Sequence, residues 1–136
     1  MKTTTITIFS LFLFGMALQS AKPLARVSGP DSLLLGTWKG TSICQVKDSP
    51  CHDEAVVYHI TKGKAPDAYD IQANKIVNGT EEEMGVLPCT WNASSGQLIS
   101  TAHNGVWTFD LTPGKLSGTL IYRNQLYRVI NVSKTD

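Results

Sequence analysis

The residues of this chain best suited to chemistry are gathered in one stretch, "CQVKDSPCHDEAVVYH", from Cys44 to His59. It holds two thiols, two imidazoles and three carboxylates, and three kinds of chemistry compete for it. A structural zinc site pairs its cysteines across roughly two to four intervening residues, whereas six separate Cys44 from Cys51. His52, His59 and His103 would have to converge, with Asp53 or Glu54 adding an oxygen. His52 and Asp53 are neighbours, however, and neighbouring side chains of an extended strand point to opposite faces. Asp53 and Glu54 are better read as loop caps that accept backbone N–H bonds. Redox chemistry of the thioredoxin type needs a C-x-x-C at a helix start, where the dipole lowers the thiol pKa, and no such helix is visible. What is left is a disulfide. Cys44–Cys51 would clamp the first inter-strand loop, with Asp48-Ser49-Pro50 supplying the turn. Cys89 is then the odd thiol: buried, paired between molecules, or the true mate of one of the other two. No metal and no cofactor is implied.

Other candidates are sparser. "EEE", Glu81 to Glu83, enters a strand after the Asn78-Gly79 turn. An inward Glu82 would recognise a cationic group or pair with Arg128; the competing reading is an acidic strand end in water, since an unpaired buried carboxylate is costly. Ser42, Ser100 and Ser117 lie in strands without the sharp turn that exposes a hydrolase nucleophile, so no catalytic residue is assigned. Asn78, Asn92 and Asn131 each open an Asn-x-Ser/Thr triplet, which marks exposed positions in a host that glycosylates.

The elements that must position these residues begin after the first segment of the chain. Lys2, the uncharged run "TTTITIFSLFLFGMAL" and the small polar residues "QSA" have the layout of a secretory signal peptide over residues 1–21, cut after Ser20 or Ala21. Its apolar core of about 13 residues is too short for a membrane span, and no second span follows. The expected location is secreted or periplasmic. Removing residues 1–21 takes away Lys2 and no acid, so the formal charge falls from +1 to zero. A balanced chain has no electrostatic drive towards nucleic acid or an anionic membrane. Residues 22–32, "KPLARVSGPDS", lack periodicity and read as a flexible arm. Residues 33–136 suit a single domain.

That domain reads as almost all β. Turn signals recur at Lys62-Gly63, Ala65-Pro66-Asp67, Asn78-Gly79, Ser95-Gly96, Asn104-Gly105 and Pro113-Gly114. Between them, "YDIQANKIV", "VWTFDL" and "LYRVINV" alternate apolar and polar positions. The spacing predicts eight strands: Leu34–Cys44, Ala55–Thr61, Tyr69–Val77, Glu81–Thr90, Gln97–Ala102, Val106–Leu111, Lys115–Tyr122 and Leu126–Val132. "DSLLL" could form one helical turn before the first. Consecutive short strands with tight turns indicate an up-and-down barrel or a sandwich.

"LLLGTWKG", Leu33 to Gly40, favours the barrel. A Gly-x-Trp at the opening of the first strand, after a helical turn, resembles the calycin group of lipocalins, fatty-acid-binding proteins, avidins and small bacterial protease inhibitors. The resemblance implies an eight-stranded antiparallel up-and-down lipocalin-like barrel. It further implies that Trp38, beside Gly36, plugs one end while Arg128 of the last strand lies across it. "YRNQLYR" adds Tyr122 to Arg128, an Arg and Tyr pair of the kind that holds a ligand carboxylate in fatty-acid-binding proteins. The competing duties are the plug for Arg128 and wall packing for Tyr122. The chain is shorter than a typical lipocalin and lacks both the helix after the last strand and the inserted helix pair of fatty-acid-binding proteins. Sequence-wide, "GTWKGTSIC…PCHDEAVVYHI…NGTEEEMG" is similar to small secreted bacterial proteins of no assigned function.

Two functions follow. In the first, an interior lined by residues such as Val56, Tyr58, Ile71, Met84, Trp107 and Phe109 binds a small apolar molecule, with Arg128, Tyr122 and Glu82 as polar partners. In the second, the barrel is a protein-interaction module, such as a protease inhibitor acting on a secreted partner through residues 22–32. An enzyme ranks behind both.

Overall fold

The computed structural model describes residues 30–136; the expected signal peptide and most of the expected arm lie outside them. One helical turn, α1 (Asp31–Leu34), precedes eight strands: β1 (Gly36–Cys44), β2 (Glu54–Lys62), β3 (Ala68–Val77), β4 (Thr80–Asn92), β5 (Gln97–Ser100), β6 (Gly105–Thr112), β7 (Lys115–Tyr122) and β8 (Gln125–Lys134). A 3₁₀ turn, Ala102–Asn104, stands between β5 and β6. Every strand pairs antiparallel with the next, and β8 returns to β1, so the sheet closes on itself. This is an all-β, up-and-down, eight-stranded barrel: of the barrel and the sandwich that the spacing of turns leaves open, it is the one that the resemblance carried by Gly36 and Trp38 implies. The last two residues of the expected arm, Asp31 and Ser32, belong to α1.

Local chemistry sets the turns. Asn78-Gly79 joins β3 to β4 with positive φ at both residues, the backbone of a type I′ hairpin, whose twist matches its strands. Arg123-Asn124 does the same between β7 and β8 without a glycine, at φ 52° and 60°. Asn104-Gly105 is not a hairpin turn: His103 and Asn104 take left-handed conformations inside the 3₁₀ turn.

Alternation along the strands sends one row of side chains inward. Trp38, Tyr58, Ile71, Leu87, Leu98, Phe109, Leu116 and Ile130 are all buried in one core cluster. The ring of Phe109 lies over Gly118, its partner across β6 and β7, in the space a β-carbon at Gly118 would need. One end of the barrel is sealed. The indole Nε1 of the fully buried Trp38 donates to the Leu34 carbonyl at 2.9 Å, satisfying an oxygen that a helix end leaves unpaired. Gly36 begins β1 at φ 127°, a conformation that side-chain-bearing residues avoid. Asp31 accepts from Tyr69 Oη and from Lys62 Nζ, which ties α1 to β2 and β3.

The wall has one weak seam. β4 and β5 share only Thr90–Asn92 with Gln97–Ile99. Pro88 has no N–H to continue that ladder, and the chain leaves β5 after Ser100. β5 is therefore shorter than the predicted Gln97–Ala102, while pairing of Thr80 with Val77 and of Trp91 and Asn92 with β5 makes β4 longer than the predicted Glu81–Thr90. The first half of β4 pairs with β3 alone, and Gly105 and Val106 of β6 pair with β7 alone.

Candidate functional site

The end opposite Trp38 is open. There a cavity of about 260 Å³ is lined by Tyr58, Ile71, Ala73, Leu87, Trp107 and Phe109 in its apolar part. Ser42, Glu54 and Arg128 form a polar pole on one side, and Met84, Gly85, Val86 and His103 stand at the seam between β4 and β6. The exposed Met84 and Val86 make the rim apolar. His103, at φ 57°, spans the seam with its Nε2 3.2 Å from the Val86 carbonyl.

The polar pole is assembled from three strands. Ser42 of β1 pairs across to Glu54 of β2 and to Ile130 of β8, and Arg128 stands one pleat away opposite Cys44. Arg128 Nη1 donates to Ser42 Oγ at 3.1 Å and to the His52 carbonyl at 3.0 Å, and it lies 3.4 Å from the Glu54 carboxylate. Side-chain exposures of 13% for Arg128 and 21% for Glu54 place this ion pair largely out of water, where pairing compensates for lost hydration. Trp107, Leu120 and Arg128 form one row across β6, β7 and β8, so the indole and the guanidinium stand at the same level of the barrel.

Aromatic rings fill the apolar part. Trp107 and Phe109 stack with planes 11° apart, and Tyr58 meets Phe109 edge-on at 6.3 Å between centroids. Burial raises the Tyr58 pKa, with the nearby Arg128 charge working the other way, so its phenol stays neutral as a hydrogen-bonding group. The buried Nε1 of Trp107 has no partner among the described residues.

The disulfide joins Cys44 to Cys51 at this same open end. Asp53 accepts the Cys44 N–H at 2.8 Å, as a loop cap does, whereas Glu54 is drawn to Arg128 instead. His52, the residue after Cys51 in the β1–β2 connection, lies just outside the closed loop, and its carbonyl accepts from Arg128. The disulfide thus braces one wall of the cavity. Cys89 is free and buried on β4, and is neither thiol's mate.

Several expected roles are redistributed. Arg128 does not lie across Trp38: Trp38 faces Lys134, whose Nζ donates to the Ser32 carbonyl of α1 at 3.1 Å. Arg128, Tyr58 and Trp107 line the cavity, but Tyr122 and Glu82 do not. Tyr122 packs edge-on against Tyr127 near the β7–β8 turn, under Arg123. Glu82 is exposed and lies 3.5 Å from Lys75 rather than near Arg128. Val56 is buried in the core without reaching the cavity. The three histidines stay apart: His59 Nε2 meets Glu81 Oε2 on the outer wall at 2.8 Å, and His52 and His103 occupy different loops. No group of three potential metal ligands forms among the described residues. Sequence reasoning missed Ser42 and Glu54 as partners of Arg128, because their convergence depends on β8 closing onto β1. Comparison with known proteins finds no family model that matches the chain and no curated protein similar to it.

Proposed function

We propose that this chain is an exported, non-catalytic barrel that binds a small, mainly apolar molecule in the cavity at its open end. The observation that carries the reading is the cavity itself: an aromatic and aliphatic pocket of about 260 Å³ with one compact polar pole, at the open end of the barrel. Binding sites for small molecules combine a mostly apolar lining with a few placed polar groups in this way. Ser42, Glu54 and Arg128 orient the ligand, and Tyr58, Ile71, Trp107 and Phe109 supply its apolar contacts. The Cys44–Cys51 disulfide is compatible with an oxidising compartment outside the cytosol, to which residues 1–21 would direct the chain.

The test is the intact mass of the protein exported by its own host, first under native and then under denaturing conditions. The expected result is a non-covalent mass that is lost on denaturation, and that Ala73→Leu, which fills the cavity from its wall, prevents from binding. A bare native mass, together with no uptake of an apolar fluorescent probe, would overturn the reading. Deleting Lys22 to Gly29 leaves binding intact here, whereas a protease inhibitor acting through its arm would lose its activity.

A further inference from the structure

The polar pole carries information about the head of the ligand, on the premise that the cavity is a ligand site. Arg128 brings a permanent positive charge, and Glu54 already stands 3.4 Å from it. The pole is therefore neutral as a unit before anything binds. A ligand carboxylate entering beside Glu54 would bring a second anion into a poorly hydrated space with one cation to share, and an ammonium would meet the reverse problem. An uncompensated buried charge is costly.

The contacts of the pair point the same way. Among the described residues, the polar contacts of Arg128 run through Nη1, to Ser42, His52 and Glu54. The rest of its donor fork is left for an acceptor. Glu54 is engaged through Oε2, which leaves Oε1 for a donor. The head that satisfies both without adding charge has an acceptor oxygen next to an N–H. Size narrows the ligand further. At about 260 Å³ the cavity falls just below the usual range of ligand pockets, so the ligand is small. The aromatic wall of Trp107, Phe109 and Tyr58 suits a single ring, whose edge and face both find partners there.

We propose that the cavity selects a small neutral ligand of the carboxamide class, its oxygen on Arg128 and its N–H on Glu54, over carboxylates and ammonium ions of the same size. The test titrates the wild-type protein with benzamide, benzoate and benzylamine at neutral pH, following the Trp107 indole N–H by NMR. Benzamide is expected to bind at least about tenfold more tightly than either charged probe. In Glu54→Gln the neutralising charge is gone, and benzoate should overtake benzamide. Equal affinities, or a wild-type preference for benzoate or benzylamine, would overturn the selection while leaving the cavity reading in place. No binding of any of the three by folded wild-type protein would overturn both. Should Glu54→Gln fail to fold, the wild-type ranking decides alone.

Discussion

Trp38 and Arg128 lie at opposite ends of the barrel. In the β1–β8 register Trp38 faces Lys134 and Cys44 faces Arg128, a separation of six residues along β8. At the rise of an extended strand that is about 20 Å. The basic residue that faces Trp38 is Lys134, and Arg128 lines the cavity instead. Arg128→Met should therefore leave the Trp38 indole N–H resonance where it is while moving that of Trp107. Trp38→Phe, by contrast, removes the donor to Leu34 and should cost about 1–3 kcal/mol in chemical denaturation. A Trp38 resonance that moves with Arg128→Met would contradict the register.

The disulfide is expected to stabilise the fold and the site together. Closing a loop of this size is worth about 2–3 kcal/mol in the chain-entropy model. Replacing Cys44 and Cys51 by Ser should lower the free energy of unfolding by that amount. It should also weaken benzamide binding, because the His52 carbonyl that holds Arg128 is next to Cys51, which the disulfide anchors to β1. A variant that loses stability but binds as the wild type does would show that the loop does not brace the site.

Cys89 should be inert. Burial, with the Asp70 charge adding to it, pushes its thiol up to about 12, so almost no thiolate exists at neutral pH. Native protein is expected to resist iodoacetamide, and protein unfolded with its disulfide intact should take up one equivalent per chain, at Cys89. Rapid labelling of the native state would place the thiol at the surface.

The outer wall sets part of the acid response. Glu81 Oε2 accepts from His59 Nε2 and from Asn74 Nδ2 at 2.7 Å, and these bonds hold its carboxyl below the ordinary value of 4.5. A group whose pKa is lower in the folded state binds its proton more readily when unfolded. Its contribution is then complete above the unfolded value and is lost as the pH falls through the folded one. Asp31 behaves alike, lowered by its bonds from Tyr69 and Lys62. Glu81→Gln should flatten the fall in melting temperature below about pH 4.5. An unchanged acid limb would show that the pair contributes nothing in solution, as exposed pairs often do not.

The number of strands, their order, the turn at Asn78-Gly79 and the loop disulfide are all legible in the sequence. Each rests on neighbouring residues: alternation with a period of two, turn residues with positive φ, and two thiols close along the chain. The strand boundaries around β4 and β5 are less so, because their lengths depend on Pro88 interrupting a ladder with a strand that must first arrive beside it. The resemblance carried by Gly36-Thr37-Trp38 leads to a buried Trp38, as observed, but its basic neighbour is not legible, since a shift along β8 exchanges Lys134 for Arg128. The same holds for Ser42, Glu54 and Arg128, which are separated by up to 86 positions and meet only when β8 closes onto β1. Periodicity states which face of a strand is wet. Register, which only the closed barrel fixes, decides which inward side chains share a level, and so where the charge in the cavity is balanced.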